Sequence, residues 1–331
     1  MDEIDTSQVD GRLLDRDDYR RLLKKRDGLA SLLLLVRFAF HAGLLALSTR
    51  LFSEGHVWTA VLLLIPHFMA WSFLGWAGIG HELFHRSVFS AKWLNVALFR
   101  LFSILTWSNF GYFEVTHPVH HRSTLGDGDL EADPQGRVSL VGTLALLTVD
   151  IGAIYRRLRI LALNSAGIVP GGRLAAMFPR GSVEFARLRD GARAVLAGQA
   201  LLIATCLWFG SPFLALALSL APFCVTFPNR TLAALQHFNL SPDDRPGRYE
   251  NSTRTVVLDP LTQFFYAGMN FHVEHHYFPS IPHYHLRQVY EVLRRNGRHR
   301  HIEHGYWSGV KLLAREGFFT SGRRLVLQPG R

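Results

Sequence analysis

Four apolar segments constrain the fold of this chain more than any other feature. The first covers about residues 30–52 and is interrupted by Arg37 and His41, and the second covers about 57–79 without a formal charge. A helix needs about 20 apolar residues to cross a bilayer, and both segments meet that length. Two shorter apolar segments cover 194–209 and 213–227.

Ser211-Pro212 separates the two shorter segments and predicts a tight turn between them. We therefore predict an all-α integral membrane protein with four transmembrane helices arranged as two hairpins. The alternative is that these segments form the buried core helices of a soluble protein.

Basic residues are distributed unevenly around these segments. The chain has 36 lysines and arginines and a formal net charge of +10, and 33 of the 36 lie before residue 30, in 80–190 or in 228–331. Because cytoplasmic loops are enriched in Lys and Arg, we predict that both termini are cytoplasmic, in a bacterial inner membrane or an ER-like membrane. Orientation and attraction to anionic lipid head groups explain the basic excess. A nucleic-acid partner is not predicted, since no readout motif accompanies the charge.

The remaining composition indicates one main domain. Residues 1–28 contain both Asp and Arg, resemble no signal peptide and are predicted to form a cytosolic N-terminal segment. Residues 29–305 are predicted to form the membrane domain, and 306–331 a cytosolic C-terminal tail. Both cysteines, Cys206 and Cys224, lie in apolar segments, which indicates packing roles and neither a disulfide framework nor a thiolate metal site.

Three histidine clusters lie near the predicted cytoplasmic ends of the hairpins. Eight of the 17 histidines occur in HELFH at 81–85, HPVHH at 117–121 and HVEHH at 272–276. Spacings of three or four residues place ring nitrogens on one face of a helix. Eight imidazoles exceed the needs of one metal ion, and such sites suit iron, zinc, copper or nickel. We therefore predict a histidine-rich di-metal site in a cytosolic helical cap, with these ligands: His81, His85, His117, His120, His121, His272, His275 and His276.

Other candidate site residues lie close to these clusters. His237 follows the fourth apolar segment and is predicted to be a ninth ligand, with a buried or capping histidine as the alternative. Metal-bound histidines usually donate their second N–H to a carboxylate or a carbonyl group. The carboxylates placed for that role are Glu82, Glu114, Asp133 and Glu274. For Glu114 and Asp133 a solvated position is an equally good interpretation, and 127–134 would then form an acidic loop.

With these motifs, the chain resembles the membrane-bound fatty acid desaturase and hydroxylase superfamily of histidine-box di-iron proteins over about residues 30–300. The three clusters match the family boxes H-x(3,4)-H, H-x(2,3)-H-H and [HQ]-x(2,3)-H-H. Residues 269–279 are similar to the third-box region of lipid desaturases, and His237 matches a further family histidine. The chain differs at Gln236, where many relatives have Glu, and its first box is more similar to that of membrane alkane hydroxylases.

The resemblance implies two iron ions as cofactor and O₂ as co-substrate. We predict an O₂-dependent oxidoreductase that introduces a double bond into the acyl chain of a fatty acid or lipid, with hydroxylation of a lipid or hydrocarbon C–H bond as the alternative. An unactivated C–H bond requires a metal–oxygen cofactor, and an acyl chain can enter directly from the bilayer. Because the sequence has no dinucleotide, iron–sulfur or haem motif, we predict an external ferredoxin or cytochrome b5-like electron donor.

Two hypotheses from other classes compete with this one. HELFH also matches the HExxH signature of zinc metalloproteases, in which Glu82 would be the general base. An intramembrane protease would leave the second and third clusters unexplained. A non-catalytic membrane scaffold is the other hypothesis, and the completeness of all three histidine boxes disfavours it.

Overall fold

The computed structural model describes residues 13–131, 136–243 and 247–320. Within these ranges the chain forms sixteen α-helices and four strands of two or three residues. The helices are α1 Arg16–Leu22, α2 Asp27–Ser53, α3 Val57–Trp71, α4 Ile79–Phe84, α5 Lys92–Leu105, α6 Phe110–Arg122, α7 Leu140–Leu147, α8 Ile151–Ser165, α9 Arg173–Met177, α10 Val183–Trp208, α11 Pro212–Ser219, α12 Phe227–His237, α13 Pro260–Phe265, α14 His272–Tyr277, α15 Leu286–Arg295 and α16 Tyr306–Arg315. The strands are β1 Val138–Ser139, β2 Thr255–Val257, β3 Ile302–His304 and β4 Phe319–Thr320.

Two of the described helices, α2 and α10, are long and apolar enough to cross a membrane. Only 22% and 28% of their most apolar stretches are buried. Leu35, Leu201 and Trp208 are each more than half exposed. A core helix of a soluble protein would bury such side chains, whereas an apolar surface of this extent is expected on a lipid-facing helix.

The second and fourth apolar segments form shorter helices than their length predicts. The helix expected over 57–79 ends at Trp71, and the helix expected over 213–227 ends at Ser219. At about 1.5 Å per residue, α11 is about 12 Å long, against a hydrocarbon core of about 30 Å. Both short helices nevertheless pack beside the long helix next to them in sequence, α3 on α2 and α11 on α10.

Local chemistry explains why these two helices end early. After α3 the chain folds back on itself, and the Ile79 N–H donates to the Phe73 carbonyl at 3.0 Å. A Cβ at Gly78 would lie 2.1 Å from the Phe73 carbonyl oxygen, so only glycine permits this approach. After α11 the chain enters a 3-10 turn, where Pro222 lacks the N–H that a continuing α-helix would need.

The second histidine cluster is positioned by a close helix crossing. It lies on α6, which packs against α10. A Cβ at Gly111 would lie 1.9 Å from the Arg187 carbonyl oxygen, so the two backbones are in direct contact there. Asn109 caps α6 by accepting from the Gly111 N–H at 3.1 Å and donates to the Leu188 carbonyl at 2.9 Å. The histidines at the far end of α6 are therefore fixed relative to a long apolar helix.

Segments near both ends of the chain pack onto the same body. Leu13, Leu14 and Leu22 lie in one buried cluster with side chains of α15. At the other end, α16 packs on α12, and β4 pairs in parallel with β1. Strands β2 and β3 form a second parallel pair. Residues 306–320 of the predicted tail thus contribute a helix and a strand, and the division of the chain at residue 305 stays a prediction.

Candidate metal centre

The structure brings all nine predicted histidines together in two adjacent groups. One group contains His81, His85, His117, His121 and His275, and the other contains His120, His237, His272 and His276. Within each group one nitrogen of every ring lies within 4.8 Å of the others. Eight of the nine side chains are buried, and His85 is half-buried. We refer to them as the five-histidine and four-histidine groups.

Helical geometry explains how each cluster is divided between the groups. Residues four apart on an α-helix differ by roughly 40° in direction, whereas adjacent residues differ by about 100°. The pairs with a spacing of four therefore stay together: 81/85 and 117/121 in the five-histidine group, and 272/276 in the four-histidine group. The remaining members, His120 and His275, each join the other group. His237, at the end of α12, is the fourth member of a group that the boxes alone leave at three.

Short distances between Nε2 atoms define each group. In the five-histidine group these atoms are 2.9 Å apart between His81 and His275 and 2.9 Å apart between His85 and His117. In the four-histidine group Nε2 of His272 lies 2.9 Å from that of His237 and 3.1 Å from that of His276.

Five of the Nδ1 atoms on the outer side of the rings lie within 2.9 Å of an oxygen atom. Nδ1 of His117 lies 2.7 Å from a Glu131 carboxylate oxygen, and Nδ1 of His120 lies 2.9 Å from one of Asp129. Nδ1 of His275 lies 2.8 Å from a Glu82 carboxylate oxygen. The other such partners are main-chain carbonyls, Trp76 for His81 at 2.9 Å and Ser252 for His237 at 2.8 Å.

This arrangement suits metal ions. A neutral imidazole carries one N–H, and the acceptors around Nδ1 fix that hydrogen on the outer side of the ring. Nε2 of His81 and Nε2 of His275 then face each other at 2.9 Å with lone pairs only. Such a contact is repulsive without a cation between the rings, and a cation would make every Nε2 a ligand. The residues therefore fit two metal ions of the kind that imidazole binds.

The pKa values of eight of the nine rings are lowered, which agrees with this assignment. Burial lowers the pKa of His237 and of His275 to about 3, so both rings are neutral, which is the form that binds metals. Burial alone would lower the pKa of His120, but the contact with Asp129 and the charge of Glu131 raise it overall. Burial raises the pKa of Glu82 to about 8 and that of Glu131 to about 7, which a nearby metal cation would oppose.

The four carboxylates predicted beside the histidines have different surroundings. Glu82 contacts His275 and accepts from the Ser87 hydroxyl at 2.9 Å. Glu274 is fully buried, but its oxygens contact His299 at 2.8 Å and the Thr255 hydroxyl at 2.7 Å. Glu114 points to Arg100, 3.6 Å away. Asp133 lies outside the described residues.

Two carboxylates were missed as histidine partners by sequence reasoning. Asp129 and Glu131 both lie in the acidic stretch after the second box, for which an acidic loop over 127–134 was one of two interpretations of the sequence. That stretch was the available signal, but a loop has no periodicity from which to choose the carboxylates that turn inward. Helical spacing offered no help, because both residues lie beyond the end of α6 at Arg122.

The fold and the site together define a helical membrane protein with two buried histidine groups able to bind metal. A model of the fatty acid desaturase family matches residues 56–307, which is most of the chain. The chain belongs to the fatty acid desaturase family, and the predicted superfamily is confirmed.

A curated relative is consistent with this membership over a shorter range. A Delta(8)-fatty-acid desaturase from Helianthus annuus is 31% identical over 85 residues, 24% of this chain and 19% of that relative. The chain therefore matches about a fifth of the length of the relative.

Proposed function

We propose that this protein is an O₂-dependent di-iron oxidoreductase that introduces a double bond into the acyl chain of a fatty acid or lipid. The observation that carries the proposal is the pair of adjacent histidine groups in a member of the fatty acid desaturase family. Nine converging imidazoles, five of which have an oxygen atom beside the outer Nδ1 atom, supply ligands for two ions.

The proposed ligands are the members of the two groups: His81, His85, His117, His121 and His275 for one ion, and His120, His237, His272 and His276 for the other. Two bound iron ions supply O₂-dependent hydrogen abstraction, which no side chain can perform. Asp129 and Glu131 accept from the Nδ1–H groups of His120 and His117, and Glu82 lies 2.8 Å from Nδ1 of His275, so these carboxylates keep the three rings directed inward. Burial of the rings limits the access of water to the centre.

Hydroxylation is the second candidate, favoured by the similarity of His81-Glu82-Leu83-Phe84-His85 to alkane hydroxylase boxes. Both reactions start with removal of one hydrogen and differ in whether a second hydrogen leaves or oxygen is added. The zinc protease hypothesis is disfavoured by the surroundings of Glu82. This side chain is fully buried and in contact with His275 and Ser87, so it is not positioned as the general base for a bound water.

The proposed topology has two hairpins in the membrane, in which α2 and α10 cross it and each is paired with a shorter apolar helix, with the termini and the metal centre on the cytoplasmic side. It is supported by the pairing of α2 with α3 and of α10 with α11, and by the basic residues that flank these helices. The acyl substrate would enter from the bilayer. Single cysteines at Ser53 and Ser280 test the topology, because only the first should react with an impermeant reagent outside intact cells. Labelling at residue 280 would contradict it.

The proposed electron donor is an acidic ferredoxin or cytochrome b5-like protein. A polar cavity of about 280 Å³ lies next to the four-histidine group and is lined by Asp243, Arg248, Glu250, Asn251, Gly297, Arg298 and Arg300. Asp243 accepts from the Ser252 N–H at 3.1 Å, and the Ser252 carbonyl accepts from His237 at 2.8 Å. These hydrogen bonds connect the cavity wall with a proposed metal ligand, and the arginines favour an acidic partner.

The reaction is tested by mass spectrometry of lipids from cells with and without the protein. The proposal predicts lipids that are lighter by two hydrogen atoms and that disappear in a His275→Ala variant. Products heavier by one oxygen atom would favour hydroxylation, and an unchanged lipid profile would contradict both.

A further inference from the structure

The turn that follows α6 contacts both histidine groups. α6 ends at Arg122, and the chain then reverses direction through Leu125, where φ is +62°. Two residues of this turn point inward: Asp129 is 2% exposed, and Glu131 is half-buried. The contact of Asp129 is with His120 in the four-histidine group, and the contact of Glu131 is with His117 in the five-histidine group. One short segment therefore contacts a member of each group.

Asp129 also holds the turn itself. Its Oδ2 atom accepts from the Leu125 N–H at 2.9 Å as well as lying 2.9 Å from Nδ1 of His120. Its Oδ1 atom accepts from the Glu131 N–H at 2.9 Å. A buried carboxylate with three N–H neighbours fixes the backbone around it, because each lost contact would leave a buried polar group unsatisfied.

Glu131 has a narrower set of contacts. Its Oε2 atom lies 2.7 Å from Nδ1 of His117, and its Oε1 atom accepts from the Thr116 hydroxyl at 2.6 Å. Its backbone position, however, depends on the N–H that donates to Asp129. Glu131 thus orients one ring, whereas Asp129 orients one ring directly and a second ring through Glu131.

We propose that Asp129 and Glu131 are positioning residues in a hierarchy, in which Asp129 sets the ligand geometry of both metal sites and Glu131 that of one. This inference rests on the proposed function only in assuming that the two histidine groups bind metal. It predicts that loss of the Asp129 carboxylate weakens metal binding at both sites, whereas loss of the Glu131 carboxylate weakens it at one. Two independent contacts would each affect only one site.

Metal titration of the full-length protein, stripped of metal in detergent, tests the hierarchy. Co²⁺ is the probe, because its absorption spectrum reports nitrogen ligation without any need for turnover. For Glu131→Gln we expect one site to lose affinity by about 10- to 100-fold, the range for outer partners of metal ligands, and the other to be unchanged. For Asp129→Asn we expect both sites to weaken, since an amide cannot accept all three N–H groups. The affinity of the double variant for Co²⁺ at the five-histidine site should be no lower than that of Asp129→Asn.

Matched variants identify the affected site and distinguish loss of ligand positioning from a non-specific effect of substitution in this turn. Asp127→Asn is the control, because Asp127 is an exposed carboxylate in the same turn, and it should bind two Co²⁺ ions as the wild type does. In a His237→Ala background, which removes a four-histidine ligand, Glu131→Gln should still weaken the remaining site. Thr116→Val retains every carboxylate and should weaken only the five-histidine site, by less than Glu131→Gln. It also tests the role of Glu131 if Asp129→Asn does not fold.

Three results would overturn the inference. If Asp129→Asn weakens only one site, the hierarchy is wrong. If Asp129→Asn and Glu131→Gln bind Co²⁺ with the same affinities as Asp127→Asn, neither carboxylate positions a ligand. The proposed function would still stand in that case if the wild type binds two Co²⁺ ions. If Glu131→Gln weakens both sites equally, its role is not confined to His117. A wild-type protein that binds no second ion would instead count against the proposed function.

Discussion

The two histidine groups differ in the charge that surrounds them. In the five-histidine group two rings face carboxylates, His275 toward Glu82 and His117 toward Glu131. In the four-histidine group, within the part of the chain that the structure describes, only His120 faces a carboxylate, that of Asp129. A carboxylate behind a ring makes the imidazole a more basic ligand. The comparison therefore predicts that a metal ion would be held more tightly by the five-histidine group.

The groups also differ in how they are assembled. The three histidine boxes provide every member of the five-histidine group, whereas the four-histidine group depends on His237 from α12. His237 is oriented by a single main-chain carbonyl, that of Ser252. Removal of one ligand would leave four imidazoles in the first group and three in the second. The four-histidine site should therefore lose its ion more readily.

The largest expected effect comes from removing one ligand in each group. We expect His237→Ala to lose activity and about one of two irons, because three imidazoles remain at that site. His275→Ala should also lose activity and keep more iron than His237→Ala. Iron analysis of the purified variants provides the comparison.

His283→Ala is the control for these variants. His283 is buried and belongs to neither group, and the described residues offer its ring nitrogens no hydrogen-bond partner. It should keep both irons. Wild-type iron content and turnover in His237→Ala would remove His237 from the site and leave eight ligands.

A smaller effect is expected from the carboxylate that contacts His275. Glu82→Gln should lower metal affinity at the five-histidine site by about 10-fold or more, because the amide supports the His275 N–H less strongly. Glu274→Gln is the matched comparison, since Glu274 is equally buried but contacts Thr255 and His299. Its effect on metal affinity should be smaller. A larger loss of metal in Glu274→Gln than in Glu82→Gln would contradict the claim that Glu82 is the carboxylate that supports the five-histidine site.

Sequence periodicity predicted the convergence of the histidines but not the ends of the helices. Residues three or four apart lie on the same face of a helix, so the sequence predicted that the histidines of each box share one face. The apolar segment at 57–79 suggested one long helix, yet the chain folds back after Trp71. That turn depends on the approach of Gly78 to the Phe73 carbonyl, a contact between backbones that composition does not reveal.

The carboxylates that contact the histidines were also predicted only in part from the sequence. Glu82 lies within a histidine box and was predicted as a partner of a metal-bound histidine. Asp129 and Glu131 lie in a turn, where the inward direction of each side chain is set by backbone hydrogen bonds and not by a repeat. Glu114 lies on α6 with the second box but points to Arg100. Proximity in sequence therefore identified the segment but not the carboxylates within it.

The smallest effect concerns the surface beside the four-histidine group. Arg298→Glu combined with Arg300→Glu should raise the KM for an acidic donor several-fold, and the difference from wild type should shrink at high salt, because surface attraction is screened. Arg180→Glu, an exposed charge reversal away from the cavity lining, is the control. Steady-state kinetics with a reduced donor protein measure the effect. An equal change in Arg180→Glu would show that total charge, and not this surface, determines the KM.

The central claim is that two adjacent histidine groups bind two irons in one chain. Metal analysis and Mössbauer spectroscopy of protein purified from iron-replete cells test it most directly. We predict two irons per chain in nitrogen-rich surroundings, with two distinguishable sites because one group has five imidazoles and the other four. One zinc ion per chain and no iron would contradict the claim and favour the HELFH protease hypothesis.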